Sequence, residues 1–368
     1  MQKNVKSCEI HILFLSGNGA TYRKWSGGEE KLNNVHFLDS WVFLSTGFTI
    51  NERMVPRGLI RALTSIKADV IVCAEYSLAA LFSCTYARIK RIPFVSWSDG
   101  TRHSERNIGF LQKLSRKYIV RLSSAFIASS RATKENQIYL GADPKHIFVS
   151  ELCIDQKKFM QRKKEYEPGK KLIYVGSLIP RKGLDLLISS LYRLSDINWI
   201  LDIVGEGPEE ASLKQELKAL GLSERVHFKG YLDGEALKKA YGKASIFVFP
   251  TREDCFGLVI LEAMCAGLPI ISSKFADGAH DLVIQGENGY IVDPINIREF
   301  ASALRTVLEN GYLQRKMSEK SQELAKKFDF KYTAPHFMKA VRAADRKRAV
   351  KGPLSWQKGD QDGGNVYD

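Results

Sequence analysis

The amino-acid sequence predicts an α/β protein of two doubly wound domains, each a parallel sheet with helices on both faces. Three observations carry this. Short apolar runs bounded by polar, Gly or Pro residues alternate with stretches of helical spacing, the pattern of βαβ units. The alternation breaks once, at the charged segment 156–171 with its Pro168-Gly169 pair, and then restarts. The length of 368 residues suits two domains, each large enough for its own core.

Taken in order, the first half shows strand-like runs at 10–15, 70–73, 94–97, 125–128 and 147–149, with helical spacing over 56–66, 108–122 and 132–140. After the linker come strands at 172–175, 199–204, 226–228, 245–249 and 269–272, separated by helices at 184–194, 209–220, 237–241 and 258–266. Gly221 and Gly267 stand just past two of these helices, where a left-handed residue closes the last turn. The Asp/Gly-rich stretch 351–368 is predicted to be disordered. Residues 1–160 and 161–330 are thus read as the two domains.

Composition narrows the function. With 44 % hydrophobic residues the chain is not a disordered one. The six cysteines stand singly, without C-x-x-C pairs or zinc spacing, as in a reducing compartment; no metal site is predicted. The N-terminal apolar run is short and strand-like, unlike a signal peptide. Asp69 and Glu75 interrupt the longest apolar stretch, between Lys67 and Arg88, so it reads as a strand followed by a helix rather than a membrane span.

The formal net charge of +14 is unevenly placed: residues 1–160 hold 23 basic against 13 acidic side chains. Between Arg102 and Arg121 six basic residues and one acid interleave with Phe110, Leu111, Leu114 and Tyr118. That pattern suits an anionic membrane face, an anionic substrate or a plain solvated helix face. Nucleic acid would fit the charge but brings no RRM, KH, helix-turn-helix or zinc signature, so no nucleic-acid partner is expected.

In open parallel sheets ligands bind beyond the carboxyl ends of the strands, and two loops there carry chemistry. The first, Gly176-Ser177-Leu178-Ile179-Pro180-Arg181-Lys182-Gly183, puts a cation pair at a helix start, which suits a phosphate or simply an exposed basic turn. The second, Pro250-Thr251-Arg252-Glu253-Asp254-Cys255-Phe256-Gly257, enters a helix that is apolar nearly all round from Leu258. Glu262 is then a carboxylate inside a core helix, which needs a protein partner, a neutralising proton or a ligand diol.

Five blocks in order, VGSLIPRKGLDLLI, LDIVGEGPEEASLKQEL, VHFKGYLDGEALKKAYGKASIFVFPT, EDCFGLVILEAMCAGLPII and GENGYIVDP, cover most of residues 170–295. They resemble the donor domain of retaining glycosyltransferases of the GT-B fold, in glycosyltransferase family 4. The resemblance implies two Rossmann-like domains facing each other across a cleft and a final helix, 331–350, crossing back onto the first domain. It implies that Lys182 contacts the donor diphosphate, that Glu262 binds the nucleotide ribose, and that Gly230-Tyr231 lies by the base. The backbone of Cys255, Phe256, Gly257 and Leu258 would hold sugar hydroxyls and phosphate. The family's first glutamate is Asp254 here, facing the donor sugar, and its arginine after the strand glycine is Ser177, with Arg181 near enough to compensate.

The first half resembles the family less. Its loop containing Gly17 and Gly19 would approach the diphosphate, and Asp99, with His103 second, is the candidate beside the anomeric centre. The expected activity is retaining, metal-independent transfer of a sugar from a UDP- or GDP-sugar, with no cofactor. The expected acceptor is a glycan or lipid-linked glycan of bacterial surface polysaccharide assembly, at the cytoplasmic face of the plasma membrane. A sugar-nucleotide epimerase or hydrolase, which would turn over donor alone, and a non-catalytic sugar-nucleotide binder are the rivals.

Overall fold

The computed structural model describes residues 8–15, 33–45, 51–160 and 168–349. The first domain runs β1 (Ile12–Phe14), β2 (Val35–Phe37), β3 (Ser40–Ser45), β4 (Asn51–Pro56), α1 (Leu59–Ile66), β5 (Ile71–Ala74), α2 (Leu78–Lys90), β6 (Phe94–Ser98), α3 (Phe110–Leu122), β7 (Ala125–Ala128), α4 (Arg131–Tyr139) and β8 (Ile147–Val149). The second runs β9 (Lys171–Val175), α5 (Leu184–Tyr192), β10 (Ile200–Val204), α6 (Glu210–Ala219), β11 (Val226–Phe228), α7 (Gly234–Lys243), β12 (Ile246–Phe249), α8 (Leu258–Cys265), β13 (Ile270–Ser273), α9 (Ala279–Leu282), β14 (Gly289–Val292), α10 (Ile297–Leu308) and α11 (Gly311–Ala325). Helix α12 (Phe330–Ala349) ends the described chain.

The second domain is one parallel sheet of order β11-β10-β9-β12-β13-β14. Its strands are buried on both faces because successive side chains point opposite ways. Leu172, Tyr174, Leu201, Ile203, Ile246 and Val248 meet α5, α6 and α10 on one side. Ile173, Val175, Val204, Phe247 and Phe249 meet α7, α8, α9 and α11 on the other. The strand order places β9 and β12 side by side at the centre, so the loops that follow them converge. The predicted doubly wound fold is found.

The first domain departs from the expectation of one plain sheet. Four parallel strands, β5-β6-β7-β8, form its centre, while β1 and β2 form a separate parallel pair and β3 and β4 an antiparallel hairpin. Pro56, read as the first residue of a helix, instead ends β4 opposite Ser40. Gly58, at φ 72°, turns the chain before α1 begins.

Between the domains, Gln156 is buried and donates through Nε2 to the Ala325 carbonyl at 2.5 Å. Leu152, Ile154 and Phe159 pack on the second core. The start of the segment read as a linker is thus fastened to the second domain; residues 161–167 and 350–368 lie outside the described residues. Helix α12 packs on β6, β7 and β8 of the first domain. Ala340 and Ala344 press on Val95, Ala125 and Ile127, and Phe337 meets Trp97 edge to face at 5.4 Å. The six cysteines are free.

Candidate active site

The site is built from loops at the carboxyl ends of second-domain strands and of β5 and β6 in the first domain. After β9, Pro180–Lys182 makes a short turn closed by Gly183. Gly183 has φ 68°, and a Cβ there would lie 2.3 Å from the Pro250 carbonyl, so only glycine lets this turn approach the end of β12. The loop after β12 is pinned in turn to the loop after β13. The Asp254 amide donates to the Phe275 carbonyl (3.0 Å), and the Asp277 amide to the Asp254 carbonyl (2.9 Å).

Within this frame Lys182 Nζ donates to Asp254 Oδ2 at 2.5 Å, and Arg181 NH1 lies 3.8 Å from the same oxygen. Burial works to raise the Asp254 pKa, but Lys182, Arg181 and the Phe256 amide (3.2 Å) outweigh it and hold the carboxylate below its usual range. Arg181 NH1 also donates to the Glu253 carbonyl at 2.8 Å, while its buried Nε has no partner. The cations expected to stand ready for a phosphate are therefore engaged by protein. Ser177, where an arginine was expected on resemblance, spends its carbonyl on the buried Tyr174 hydroxyl at 3.0 Å.

Gly257, at φ 78°, caps α8 without a side-chain bond. Among the described residues the amides of Gly257, Leu258 and Val259 donate to no protein acceptor. Open amides at a helix start attract an anion or hydroxyls. Phe256 is buried beside them, and burial pushes the Cys255 thiol far up, away from nucleophilic use. One turn along α8, Glu262 Oε2 accepts from the Tyr241 hydroxyl at 2.8 Å. Burial raises Glu262 to about 7, against the pull of that hydroxyl. Its protein partner is thus a neutral hydroxyl on α7, which leaves the carboxylate with room for further hydrogen bonds. Gly230 and Tyr231 follow β11; Gly230 has φ 64°, its carbonyl accepts from Gly205 at 2.8 Å, and the Tyr231 amide donates to Glu206 at 3.3 Å.

The first domain supplies the opposite wall. Asp99 follows β6, and its amide donates to Glu75 Oε1 at 3.2 Å. Glu75, at the end of β5, holds the left-handed conformation at φ 60°, uncommon for a residue with a side chain. It is reachable by solvent yet crowded by the cleft, and desolvation, then Asp99, raise it to about 8. Desolvation, then the charge of Asp254 across the cleft, also raise Asp99. Patterning did not single out Glu75; the available signal is an acid closing the apolar run Val70-Ile71-Val72-Cys73-Ala74.

Four contacts bridge the domains around this centre. Thr101 Oγ1 donates to Asp277 Oδ2. His103 stacks on Phe275 at 5.2 Å and donates through Nε2 to the Arg252 carbonyl at 3.1 Å. Arg106 pairs with Glu253 at 2.7 Å, and Arg131 with Asp281 at 3.2 Å. The His103 ring is therefore engaged in a contact between the domains. Asp99, Lys182, Arg181, Asp254, Cys255, Phe256, Gly257 and Leu258 come together at the cleft. Gly17 and Gly19 lie outside the described residues.

Comparison with known proteins adds independent findings. Residues 155–324 match the family model described as glycosyl transferases group 1. Sulfoquinovosyl transferase SQD2 of Arabidopsis thaliana is 29 % identical over 200 residues, 52 % of this chain and 38 % of that protein. The chain thus spans well under two thirds of that relative's length. A glycogen synthase of Mycobacterium tuberculosis is 29 % identical over 294 residues, 77 % of this chain and 70 % of its own. The crystal structure of Anabaena HepE in complex with UDP and glucose superposes with a TM-score of 0.69 at 20 % identity, covering 86 % of this chain and 88 % of HepE. That likeness shows the fold, GT-B.

Proposed function

We propose that this chain, a member of glycosyl transferases group 1 through residues 155–324, transfers a sugar from a nucleoside diphosphate sugar to a hydroxyl of an acceptor glycan. One observation supports this most. Lys182 and the open amides at the start of α8 stand on one side of the interdomain cleft, and Asp99 with Glu75 on the other. The first set suits a departing diphosphate and the second suits hydroxyls. The UDP and glucose held by HepE favour a UDP-sugar as donor.

In this reading the donor's anomeric C–O bond to the β-phosphate breaks as the acceptor oxygen bonds to the same face of the sugar, so configuration is retained. The departing phosphate oxygen takes the acceptor's proton. Lys182 and the α8 amides stabilise the charge that grows on the phosphate, without a metal. The incoming phosphate draws Lys182 from Asp254, which is freed to accept donor-sugar hydroxyls. Glu262 takes the two ribose hydroxyls. The four bridging contacts hold the cleft shut against water, limiting donor hydrolysis. The acceptor is a glycan or lipid-linked glycan of bacterial surface polysaccharide assembly, met at the cytoplasmic face of the membrane.

The test is incubation of the purified chain with UDP- and GDP-sugars, with and without lipid-linked glycan acceptors, in the presence of a chelator. Nucleoside diphosphate release that needs an acceptor, and a product of unchanged anomeric configuration by NMR, are expected. Release from donor alone points to a hydrolase, and loss of turnover with the chelator overturns the metal-free step.

A further inference from the structure

Helices α2 and α3 lie side by side on the first domain, and their outer faces are unusual. Phe110, Leu111 and Leu114 on α3 are exposed, Phe110 by 78 % and Leu111 by 76 %, as are Phe82 and Ile89 on α2, Ile89 by 73 %. The Tyr118 hydroxyl lies 3.4 Å from Thr85 Oγ1, which joins the two faces into one apolar strip. Lys113, Lys117 and Arg121 follow at four-residue spacing along α3, one edge of the strip. Lys90 stands at the end of α2.

The charge of this face is of one sign. No Asp or Glu occurs between Tyr76 and Ser98 or between Arg106 and Lys134. Among the described residues Lys90, Lys113, Lys117 and Arg121 have no ion-pair partner. Arg116, the α3 cation that turns inward, is the exception and pairs with Glu105 at 2.7 Å. Exposed helices of the second domain are built otherwise: Lys214 pairs with Glu210, Arg305 with Glu309 and Lys320 with Glu323. A solvated face gains nothing from leaving its cations unpaired beside exposed Phe and Leu.

We infer that the joined faces of α2 and α3 dock on an anionic lipid bilayer, with Phe110, Leu111, Leu114 and Ile89 entering the headgroup–acyl boundary and the unpaired lysines meeting lipid phosphates. Helices lying in the interface plane use this division, aliphatic and aromatic side chains below and cations with long stems at the rim. A protein copy of itself is disfavoured, because a self-complementary contact would oppose unpaired cations. RNA is disfavoured because the aromatic side chains of the strip, Phe82, Phe110 and Tyr118, are interrupted by Leu111, Leu114 and Ile89, which offer bases no stacking surface. Phe110 is four residues from Arg106, which pairs with Glu253 at the cleft rim. Docking therefore sets the cleft mouth at the membrane surface and selects an acceptor anchored there. Only this last step rests on the proposed transfer. The docking itself is read without donor or acceptor, and UDP binding measured on the same preparations reports separately on the transfer reading.

The probe is co-sedimentation of the full chain with vesicles of phosphatidylcholine alone or mixed with phosphatidylglycerol at roughly three to one. Binding to the mixed vesicles only, with most of it lost at about 0.5 M NaCl, is expected. The Lys113→Glu/Lys117→Glu variant should bind at least about tenfold more weakly, since each cation near the surface is worth roughly fivefold. Phe110→Ser/Leu111→Ser should weaken binding by about tenfold and leave the melting temperature unchanged, because these side chains are exposed in the free protein. Equal binding to neutral vesicles, or undiminished binding by both variants, overturns the inference. So does a dimer in solution, or RNA binding without vesicle binding, that the same substitutions abolish.

Discussion

Two aspartates face each other across the cleft and hold protons oppositely. Asp254, in the second domain, is largely buried, yet Lys182, Arg181 and an amide hold it below the usual carboxylate range. Asp99, in the first, is also desolvated, but its near neighbours are Glu75 and, across the gap, Asp254, so its proton is held more tightly than usual. Burial is common to both; the partners decide the sign. The second domain presents a preset arrangement of charge, and the first presents two carboxyls that hold their protons more tightly than usual, Glu75 up to about 8. In the proposed transfer the second domain's set would meet the charge growing on the diphosphate, and the first domain's carboxyls would hydrogen-bond acceptor or sugar hydroxyls.

The sharpest way to break this contrast is Lys182→Ala. Loss of turnover by about a thousandfold is expected if Lys182 carries the leaving group's charge. The same change leaves the largely buried Asp254 with the Phe256 amide and, as its cation, only the more distant Arg181, at a cost of about 3 kcal/mol in stability. The double variant Lys182→Ala/Asp254→Asn should recover most of that stability, read by denaturant unfolding, and none of the turnover. If turnover returned with stability, Lys182 would be a structural cation only.

Glu262 tests the second domain differently. Its folded pKa of about 7 lies above the ordinary 4.5. Sign follows from linkage: the folded state holds the proton more tightly, so stability falls as pH rises from about 4.5 to about 7 and stays lower beyond. Glu262→Gln, which keeps a partner for Tyr241, should therefore raise the melting temperature at pH 8 and not at pH 4. It should also weaken UDP by about tenfold at pH 8, since a carboxylate accepts two ribose hydroxyls and an amide one. Calorimetric titration of UDP decides it. A variant stabilised at pH 8 that binds UDP unchanged would remove Glu262 from the donor site and leave the contrast resting on Asp254.

How far the sequence reached differs between the domains for the same physical reason. Strands β9, β10, β12 and β13 are buried on both faces, so each reads as a short, largely apolar run between helices. Hairpin β3–β4 does not: Ser40-Trp41-Val42-Phe43-Leu44-Ser45 has no helix-period neighbour to flank it, and Pro56 mimics a helix start. Helix α10 was within reach, its buried Phe300, Ala301, Leu304, Val307 and Leu308 falling on one stripe. At the site, loop positions and glycines were legible because backbone geometry demands them. Partners were not: Tyr241 meets Glu262 from 21 positions away and Lys182 meets Asp254 from 72, distances only the packed fold sets. Glu75 stayed hidden because one acid after a strand is common, and its meaning comes from Asp99, just past the end of the neighbouring strand.

On the first domain, Glu75→Gln sharpens the comparison. Groups facing Glu75 are Asp99, which follows β6, Ser98 at the end of β6, Cys73 from β5, the adjacent Tyr76, Glu105 with its partner Arg116, and Cys255 of the second domain. Cys73 is itself pushed up to about 12 and stays neutral. As pH passes about 8 Glu75 gives up its proton and two carboxylates oppose each other. Wild-type kcat/KM should fall severalfold between pH 7.5 and 9, roughly in step with that ionisation. The Gln variant keeps the bond to the Asp99 amide but cannot ionise, so its profile should stay flat there. A fall that persists in the variant assigns the limb to another group.

The smallest effect is expected at the seam between the domains. Arg106 and Glu253 form an ion pair at 2.7 Å, with the Arg106 side chain 38 % exposed. Exposed pairs of this kind are worth about 0–1 kcal/mol, and three other contacts hold the same seam: Thr101 with Asp277, His103 with Phe275, and Arg131 with Asp281. Arg106→Ala should therefore raise the donor KM by about twofold, leave kcat unchanged, and lose that effect above about 0.5 M salt. Glu253→Gln should do the same, and combining the two should add nothing, because both remove one interaction. A tenfold change in kcat from Arg106→Ala alone would mean that closing the cleft depends on this pair, and that the two carboxylate environments are created by closure rather than built into each domain.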